Sequence, residues 1–439
     1  MKTNTKSPRA KVFTHEGAPA AHATAKQQLR RSVMSCMLWE SEFHESGEDI
    51  AQRIASLVAK CKPEDVALIA REAREQMKLR HVPLLLVREM ARLPSHRPYV
   101  ADTLNAVIQR ADELSEFLAI YWKSGKDQPL AAQVKKGLAR AFTRFDEYAL
   151  SKYDRAGDVK LRDALFLCHA KPQDKKQERL WKRLVNGELK PAGTWEEQLS
   201  AGKDKKAVFT KLIKDGELGA LALLRNLRGM TEAGVSHEII TQALAGMKTE
   251  RVLPFRFISA ARYAPQFEAE LEQAMFKCLE GVDKLKGYTI LLVDVSGSMD
   301  SPISAKSDLT RIDAACGLAI LLREICERVD ICTFSSGIVG VPPRRGFALR
   351  DAIKNSQPHA STDLGRALDT LKYGTGKDRI VVITDEQSHT AVNSPKTTGY
   401  MLNVASAANG VGYGAWNHID GWSESCVKFV AELEKQSAD

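Results

Sequence analysis

Asp294, Ser296 and Ser298 stand at alternate positions in TILLVDVSGSMD, residues 289–300. A run of β-type residues from Thr289 to Val293 ends in the acid, and the two serines follow it. Alternate residues on a loop at the C-terminal end of a strand can aim three oxygens at one spot. Such a spot suits a hard divalent cation, because Mg²⁺ takes oxygen ligands in near-octahedral geometry and keeps several waters. The same spacing also fits a solvated turn whose serines only cap the next helix. Two later pieces favour the cation. Thr362 and Asp363 open the helix-like run DLGRALDTL, and Asp385 closes a second apolar strand, RIVVITDE. Asp294, Ser296, Ser298, Thr362 and Asp385 are therefore the expected ligands of one divalent cation, Mg²⁺ or a similar ion. Three neutral hydroxyls leave much of its charge uncompensated, so an open position should attract a partner's carboxylate.

The elements that must hold these side chains are legible from residue 287 onward. Strand patterns GYTILLVDV, VDICTFSS, RIVVITDE and MLNVAS alternate with helical ones around Asp313 to Arg328, Ala348 to Ser356, Leu364 to Tyr373 and Trp422 to Lys435. That alternation predicts a doubly wound α/β domain over 287–439, with a mostly parallel sheet. Ligands of such sheets sit beyond the carboxyl ends of the strands, where Asp294 and Asp385 fall. Residues 26–286 read differently, as successive short helices. In CKPEDVALIAREAREQM, Pro63 suits the first helical position and Glu64 and Asp65 complement the positive helix end. Val66, Ile69 and Ala70 begin the apolar stripe. Strand signals are almost absent there, so the expectation is an α-solenoid of stacked helix pairs. Residues 1–25, rich in Ala, Thr, Pro and His, read as an extended arm.

Charge is placed unevenly over the 439 residues, whose net balance is +9. Residues 1–286 hold 49 Lys and Arg against 37 Asp and Glu, whereas 287–439 hold 15 against 18. A basic helical part favours a polyanion, most simply nucleic acid, although lysines also solvate helix faces. No apolar run approaches the ~18 to 20 residues of a bilayer span, and the N-terminus lacks a signal-peptide core. The expectation is a cytoplasmic protein without membrane contact. The eight scattered cysteines contain no C-x-x-C pair and read as reduced core residues.

Residues 136–172, KGLARAFTRFDEYALSKYDRAGDVKLRDALFLCHAKP, resemble the core of the TROVE module of the Ro ribonucleoprotein family, the Ro autoantigen and its bacterial relatives. ALLRNLRGMT (222–231) and RVLPFRFISAARY (251–263) follow in that family's order. The order strand, D-x-S-x-S loop, helix, Thr loop, strand, TD is similar to the metal-ion-dependent adhesion site of von Willebrand factor A domains, which completes the family's plan. The resemblance covers about residues 26 to 435. It implies a monomeric ring of HEAT-like repeats closed by the A domain. It also implies small noncoding Y-like RNA on the outer surface and single-stranded 3′ ends of misfolded RNA in the central hole. A 3′→5′ exoribonuclease joined through the Y-like RNA is the implied protein partner. The segment 300–311 and the loop 387–400 depart from the family and flank the cation loops, so partner choice there does not transfer.

Several basic residues carry the RNA expectation. Arg140 and Arg144 lie four apart, which on one helix face would let both guanidiniums reach one phosphate backbone. Lys152, Arg155 and His169 match positions that the family uses for Y RNA. Lys152 and Arg155 would pair with phosphates, and His169, in CHAKP with Lys171, would stack on a base or donate to phosphate. A histidine at a helix C-terminus also commonly just bonds the last carbonyls. Helix 175–186, KKQERLWKRLVN, sets an apolar stripe against a crowd of lysines and arginines, most of them a solvated face.

Enzyme signatures are missing. The sequence has no H-E-x-x-H, no Cys/His set at zinc spacing and no G-x-S-x-G elbow. The leading expectation is a non-enzymatic RNA-binding protein acting in RNA quality control or as a tether to an exoribonuclease. The alternative is a metal-dependent scaffold whose A domain docks an acidic partner, with RNA incidental.

Overall fold

The structure, a computed structural model, describes residues 11–20, 22–36, 45–123, 125, 129–154, 157, 159–200, 204–250, 252–303, 308–371 and 378–436. The chain divides into two compact units. One gathers Met1–Ser35, Glu40–Ile50 and Leu279–Asp439; the other gathers Cys36–Trp39 and Ala51–Cys278.

The first unit is built on a six-stranded sheet. Its strands are β1 (Leu285–Asp294), β2 (Cys326–Phe334), β3 (Ile338–Gly340), β4 (Arg379–Thr384), β5 (Thr398–Asn403) and β6 (Asn417–Asp420), in the order β3-β2-β1-β4-β5-β6. Every neighbouring pair is parallel except β2 with β3. The central strands are apolar without alternation, TILLV in β1 and RIVVIT in β4, because helices cover both faces of a doubly wound sheet. Ile290, Leu292, Phe334, Leu364, Ile380, Val382, Met401 and Trp416 form the core on one side. β1 lies between β2 and β4, so the strand order reverses where Asp294 ends its strand.

Two strands go beyond the sequence expectation. β3 is three residues long, and β6 reads Asn-His-Ile-Asp, a polar tetrad that becomes a strand by pairing with β5. The helix expected to run to Arg328 stops at Ile325 and enters β2 directly. Arg328 there pairs in register with Tyr288, and the Glu327 carboxylate accepts the Gly287 N–H at 2.7 Å, so sheet pairing outweighs helical continuation.

The N-terminal boundary also differs from the expected one at residues 25 and 26. Residues 12–20 are a docked hairpin rather than an arm, and the helix Ala25–Met34 belongs to the α/β unit. Arg31 accounts for this. Its side chain is fully buried, donates to the carbonyls of Ala407 at 2.7 Å and Asp385 at 3.3 Å, and pairs with the Glu386 carboxylate. A Cβ on Gly410 would meet this pair at 2.5 Å, which explains glycine there. Glu386 also faces His418 Nε2 at 2.6 Å; the other ring nitrogen lies 3.5 Å from Asp420, and Tyr413 stacks on the ring.

Burial alone would lower the His418 pKa, but the charges of Asp420 and Glu386 outweigh it and raise it to about 9. A raised folded-state pKa gives stability that is complete below the unfolded value near ~6.5 and lost as pH climbs through the folded one. The melting temperature of the α/β unit should therefore fall as pH rises from about 6.5 to 9. Replacing His418 by Gln should flatten that slope relative to the natural protein. Parallel melting curves for the two proteins across this range would refute the coupling.

The second unit is helical. Pro63–Glu75 packs on both His81–Arg92 and Arg97–Val107, Arg97–Val107 on Ala132–Phe142, and Ala132–Phe142 on Leu161–Cys168. Farther on, Ala220–Glu232 packs on Phe255–Tyr263 and His237–Ala245 on Glu268–Phe276. Contact with the next-but-one helix is the pattern of an α-solenoid, in which each layer buries its neighbour's apolar stripe. Pro63 does open its helix, which buries Val66, Ala67, Ile69, Ala70 and Ala73. No described helix is long and apolar enough to cross a membrane. The eight cysteines are free thiols, six of them buried.

Candidate functional site

Asp294, Ser296, Ser298, Thr362 and Asp385 are all buried. They stand on three loops at the carboxyl edge of the sheet, stitched together by backbone bonds. Val295 N donates to Phe334 O at 2.9 Å, Gly297 N to Ala360 O at 2.9 Å, and Asp363 N to Ser335 O at 3.0 Å. The Ser296 and Ser298 hydroxyl oxygens are 3.2 Å apart. Asp294 is aimed by two donors, Ser296 N–H at 2.9 Å and the Thr384 hydroxyl at 2.6 Å. Asp385 Oδ1 accepts the Gln387 N–H at 3.0 Å. Burial, and next the nearby charge of Asp385, raise the Asp294 pKa to about 7 against the pull of those donors.

Asp294 and Asp385 repel one another, and the donor set matches what a hard ion would take. Among the described residues no three His, Cys, Asp or Glu side chains converge as metal ligands, so the hydroxyls must complete any coordination shell. Thr384 was not singled out from the sequence, although it stands in the same ITDE run. It orients Asp294 and accepts the Glu386 N–H at 3.0 Å.

In the helical unit the expected RNA residues fare unevenly. Arg140 and Arg144 do not share a helix face. The helix Ala132–Phe142 ends at its cap, Thr143, whose hydroxyl donates to Arg140 O at 2.8 Å, and Arg144 lies beyond it. Arg140 pairs with Asp102 at 2.6 Å, while Arg144 donates to Asn105 O at 2.6 Å and to Ile108 O. Arg144 thus satisfies the open carbonyls of a neighbouring helix end, and burial lowers its pKa. These guanidiniums fasten helices together.

Lys152 ends the helix Glu147–Tyr153 with its ammonium 5.7 Å from the rings of both Tyr148 and Tyr153. Tyr148 is 52% exposed. It borders a 650 Å³ depression that also contains Arg144, Lys176, Arg179 and Arg183. Arg155 lies outside the described residues. His169 is exposed and caps the helix Leu161–Cys168 in the left-handed conformation, φ 53°, with its N–H on the carbonyls of Leu165 and Phe166. A side chain there costs about 1–2 kcal/mol over glycine. Lys171 is exposed two residues on, and Phe166 projects with 60% exposure.

The sequence reading also passed over a cationic pair. Burial lowers the Arg256 pKa and the nearby Arg225 charge lowers it further. Arg225 is on Ala220–Glu232 and Arg256 on the packed helix Phe255–Tyr263. Close by in sequence, Arg228 lies 5.7 Å from the ring of half-exposed Tyr263. Among the described residues neither Arg225 nor Arg256 forms a salt bridge, so two like charges stand close together on packed helices. Arg225 and Arg256 fall in the segments 222–231 and 251–263.

Residues 187–284 match the family model for the TROVE domain. The match contains the 222–231 and 251–263 segments, while 136–172 falls before it. The crystal structure of the Ro (RSR) protein of Deinococcus radiodurans superposes with a TM-score of 0.60 over 94% of this chain and all of the other, at 17% identity. The chain shares the fold of that Ro protein, and residues 187–284 carry a TROVE-domain match. Its TROVE segment thus lies on the helices that carry Arg225 and Arg256. The telomerase protein component 1 sequences of rat and mouse are each 23% identical, over 50% of this chain. The aligned region spans 12% of those relatives' length.

Proposed function

We propose that this TROVE-domain protein binds RNA through its helical unit and docks a carboxylate-bearing partner through a divalent cation on its α/β unit. The TROVE match over 187–284 carries the RNA reading. The neighbouring arginines Arg225 and Arg256, the aromatic-basic patch of Tyr148 and Lys152, and exposed His169 and Lys171 support it. In finer form, the ligands are a small noncoding Y-like RNA and the 3′ ends of misfolded RNA. The protein then acts in RNA quality control, or as a tether to a 3′→5′ exoribonuclease, with no chemistry of its own.

The reading implies a steep salt dependence, because each neutralised phosphate releases counterions. Replacing Arg225 and Arg256 together by Ala should weaken binding to hairpin RNA with a single-stranded 3′ tail. The slope of log affinity against log salt should fall by about one to two. Lys152→Ala should weaken binding to structured RNA and leave folding intact. Filter binding of tailed and blunt hairpins across a salt series measures both. Unchanged slope and affinity in all three substitutions would overturn the assignment.

The cation reading is carried by Asp294, Ser296, Ser298, Thr362 and Asp385, five buried oxygen-bearing side chains on one edge. Mg²⁺ would supply a positive centre there with an open position for an incoming carboxylate. That is the arrangement of a docking site, and it makes the metal-dependent scaffold a second activity of the same chain rather than a rival.

A further inference from the structure

Thr362 and Asp385 stand on loops that the opposite end of the chain holds in place. Residues 12–20 fold into a hairpin, with Ala20 N on Val12 O at 2.8 Å, Thr14 N on Ala18 O at 2.9 Å, and Gly17 turning at φ +90°. Three successive residues of this hairpin grip three successive residues of the loop after β4. The buried Thr14 hydroxyl donates to Ser388 O at 2.8 Å, the His15 N–H to Gln387 Oε1 at 2.9 Å, and Glu16 meets His389 Nε2 at 2.6 Å. Eleven residues after the hairpin, Arg31 holds the Asp385 carbonyl and the Glu386 carboxylate.

Each grip leads to an expected cation ligand in one further step. Thr362 N–H lies 3.2 Å from His389 Nδ1, and the Nε2 of the same ring meets Glu16. His389 N–H donates to Thr362 O at 2.8 Å, and the Ser388 hydroxyl oxygen lies 3.3 Å from the same carbonyl. Gln387 donates its N–H to the Asp385 carboxylate and its side-chain amide to the Asp385 carbonyl at 3.3 Å. Between them Glu386 is held at φ 61°, an unfavourable conformation that persists only when its surroundings impose it. Arg31 and His418 on its carboxylate impose it.

We propose that the N-terminal hairpin and Arg31 are working parts of the cation cluster, positioning the loops that carry Thr362 and Asp385. This rests on the reading of the cluster as a cation site. Glu16, Thr14 and Arg31 are positioning residues that act through His389, Ser388 and Glu386. Ligating atoms must be held within a few tenths of an ångström, which surface loops do not achieve unaided. Groups that orient ligands typically matter about 10–100-fold for metal affinity. The hairpin docks on residues 387–389, at the start of the loop that follows β4.

The test uses the full-length protein. Thr14→Val with Glu16→Ala removes the hydroxyl donor and the carboxylate acceptor, and Thr14→Ser with Glu16→Gln restores one donor and one acceptor. Titration calorimetry with Mg²⁺ and Mn²⁺ reads affinity, and hydrogen exchange in chelator reads the backbone of 360–363 and 385–389 without metal. The first pair should lose about 10–100-fold in affinity and exchange faster in both segments, with the sheet strands unchanged. The second pair should recover most of both. Unchanged exchange in the first pair would overturn the clamp, as would faster exchange with undiminished affinity. If the natural protein binds neither ion, the cation reading fails by itself, and exchange still decides whether the hairpin holds the loops.

Discussion

On the proposed reading of the cation cluster, replacing Asp294 by Asn will abolish Mg²⁺ and Mn²⁺ binding to the α/β unit, with an affinity loss of about 100-fold or more, and leave RNA binding by the helical unit intact. The size of the effect follows from charge. The cluster offers two carboxylates and three hydroxyls, so half of its negative charge resides on Asp294. A neutral amide keeps the shape but presents a dipole where a dication needs an anion. The local structure should survive, since an Asn carbonyl can still accept the Ser296 N–H that now bonds Asp294 at 2.9 Å. It would also remove the Asp385 repulsion that, after burial, raises the Asp294 pKa. Calorimetric titration of each ion, alongside filter binding of a tailed hairpin RNA, separates the two activities. Retained metal affinity in Asp294→Asn would remove the residue from the site. Lost RNA binding would make the cluster part of the RNA surface.

How far these sites could be read in advance depended on how local their physics is. β1 and β4 are buried on both faces, so their apolar runs are unbroken, and Asp294 and Asp385 end them as the sequence pattern said. The Asn-His-Ile-Asp of β6 carries no such signal. Its buried His418 and Asp420 are tolerated because Arg31 and Glu386 neutralise them from distant positions in the chain. The hairpin 12–20 was invisible for the same reason: its partners lie more than 370 residues away. Arg140 and Arg144 show the opposite failure. Spacing of four implies a shared face only while the helix continues, and this one stops at Phe142. The Arg225 and Arg256 pair needs two packed helices before it exists, and a linear reading sees only two unrelated arginines.

Substituting Glu113 by Ala will destabilise the helical unit by about 3–5 kcal/mol, well beyond the effect of a typical surface ion pair. Its side chain is wholly inaccessible and accepts four donors. Arg74 donates at 2.8 Å, Arg80 at 3.4 Å, and the N–H groups of Gln109 and Arg110 at 2.7 and 3.0 Å. Arg74 also holds Val107 O at 2.9 Å, so the acid ties Pro63–Glu75 to the end of Arg97–Val107 and the start of Asp112–Tyr121. With Glu113 gone, a nearly buried guanidinium loses its counter-ion beside Arg80 and Arg110, whose charges already push the Arg74 pKa down after burial itself. Two backbone donors lose their acceptor at the same time. The Lys182 and Glu178 pair, both partners largely exposed, is the contrast: removing it should barely register. A double-mutant cycle with Arg74→Met in urea unfolding distinguishes the causes. If an uncompensated charge dominates, adding Arg74→Met to Glu113→Ala should recover part of the loss. A Glu113→Ala protein within 1 kcal/mol of the natural one would show that the network is decorative and that apolar packing alone holds these helices.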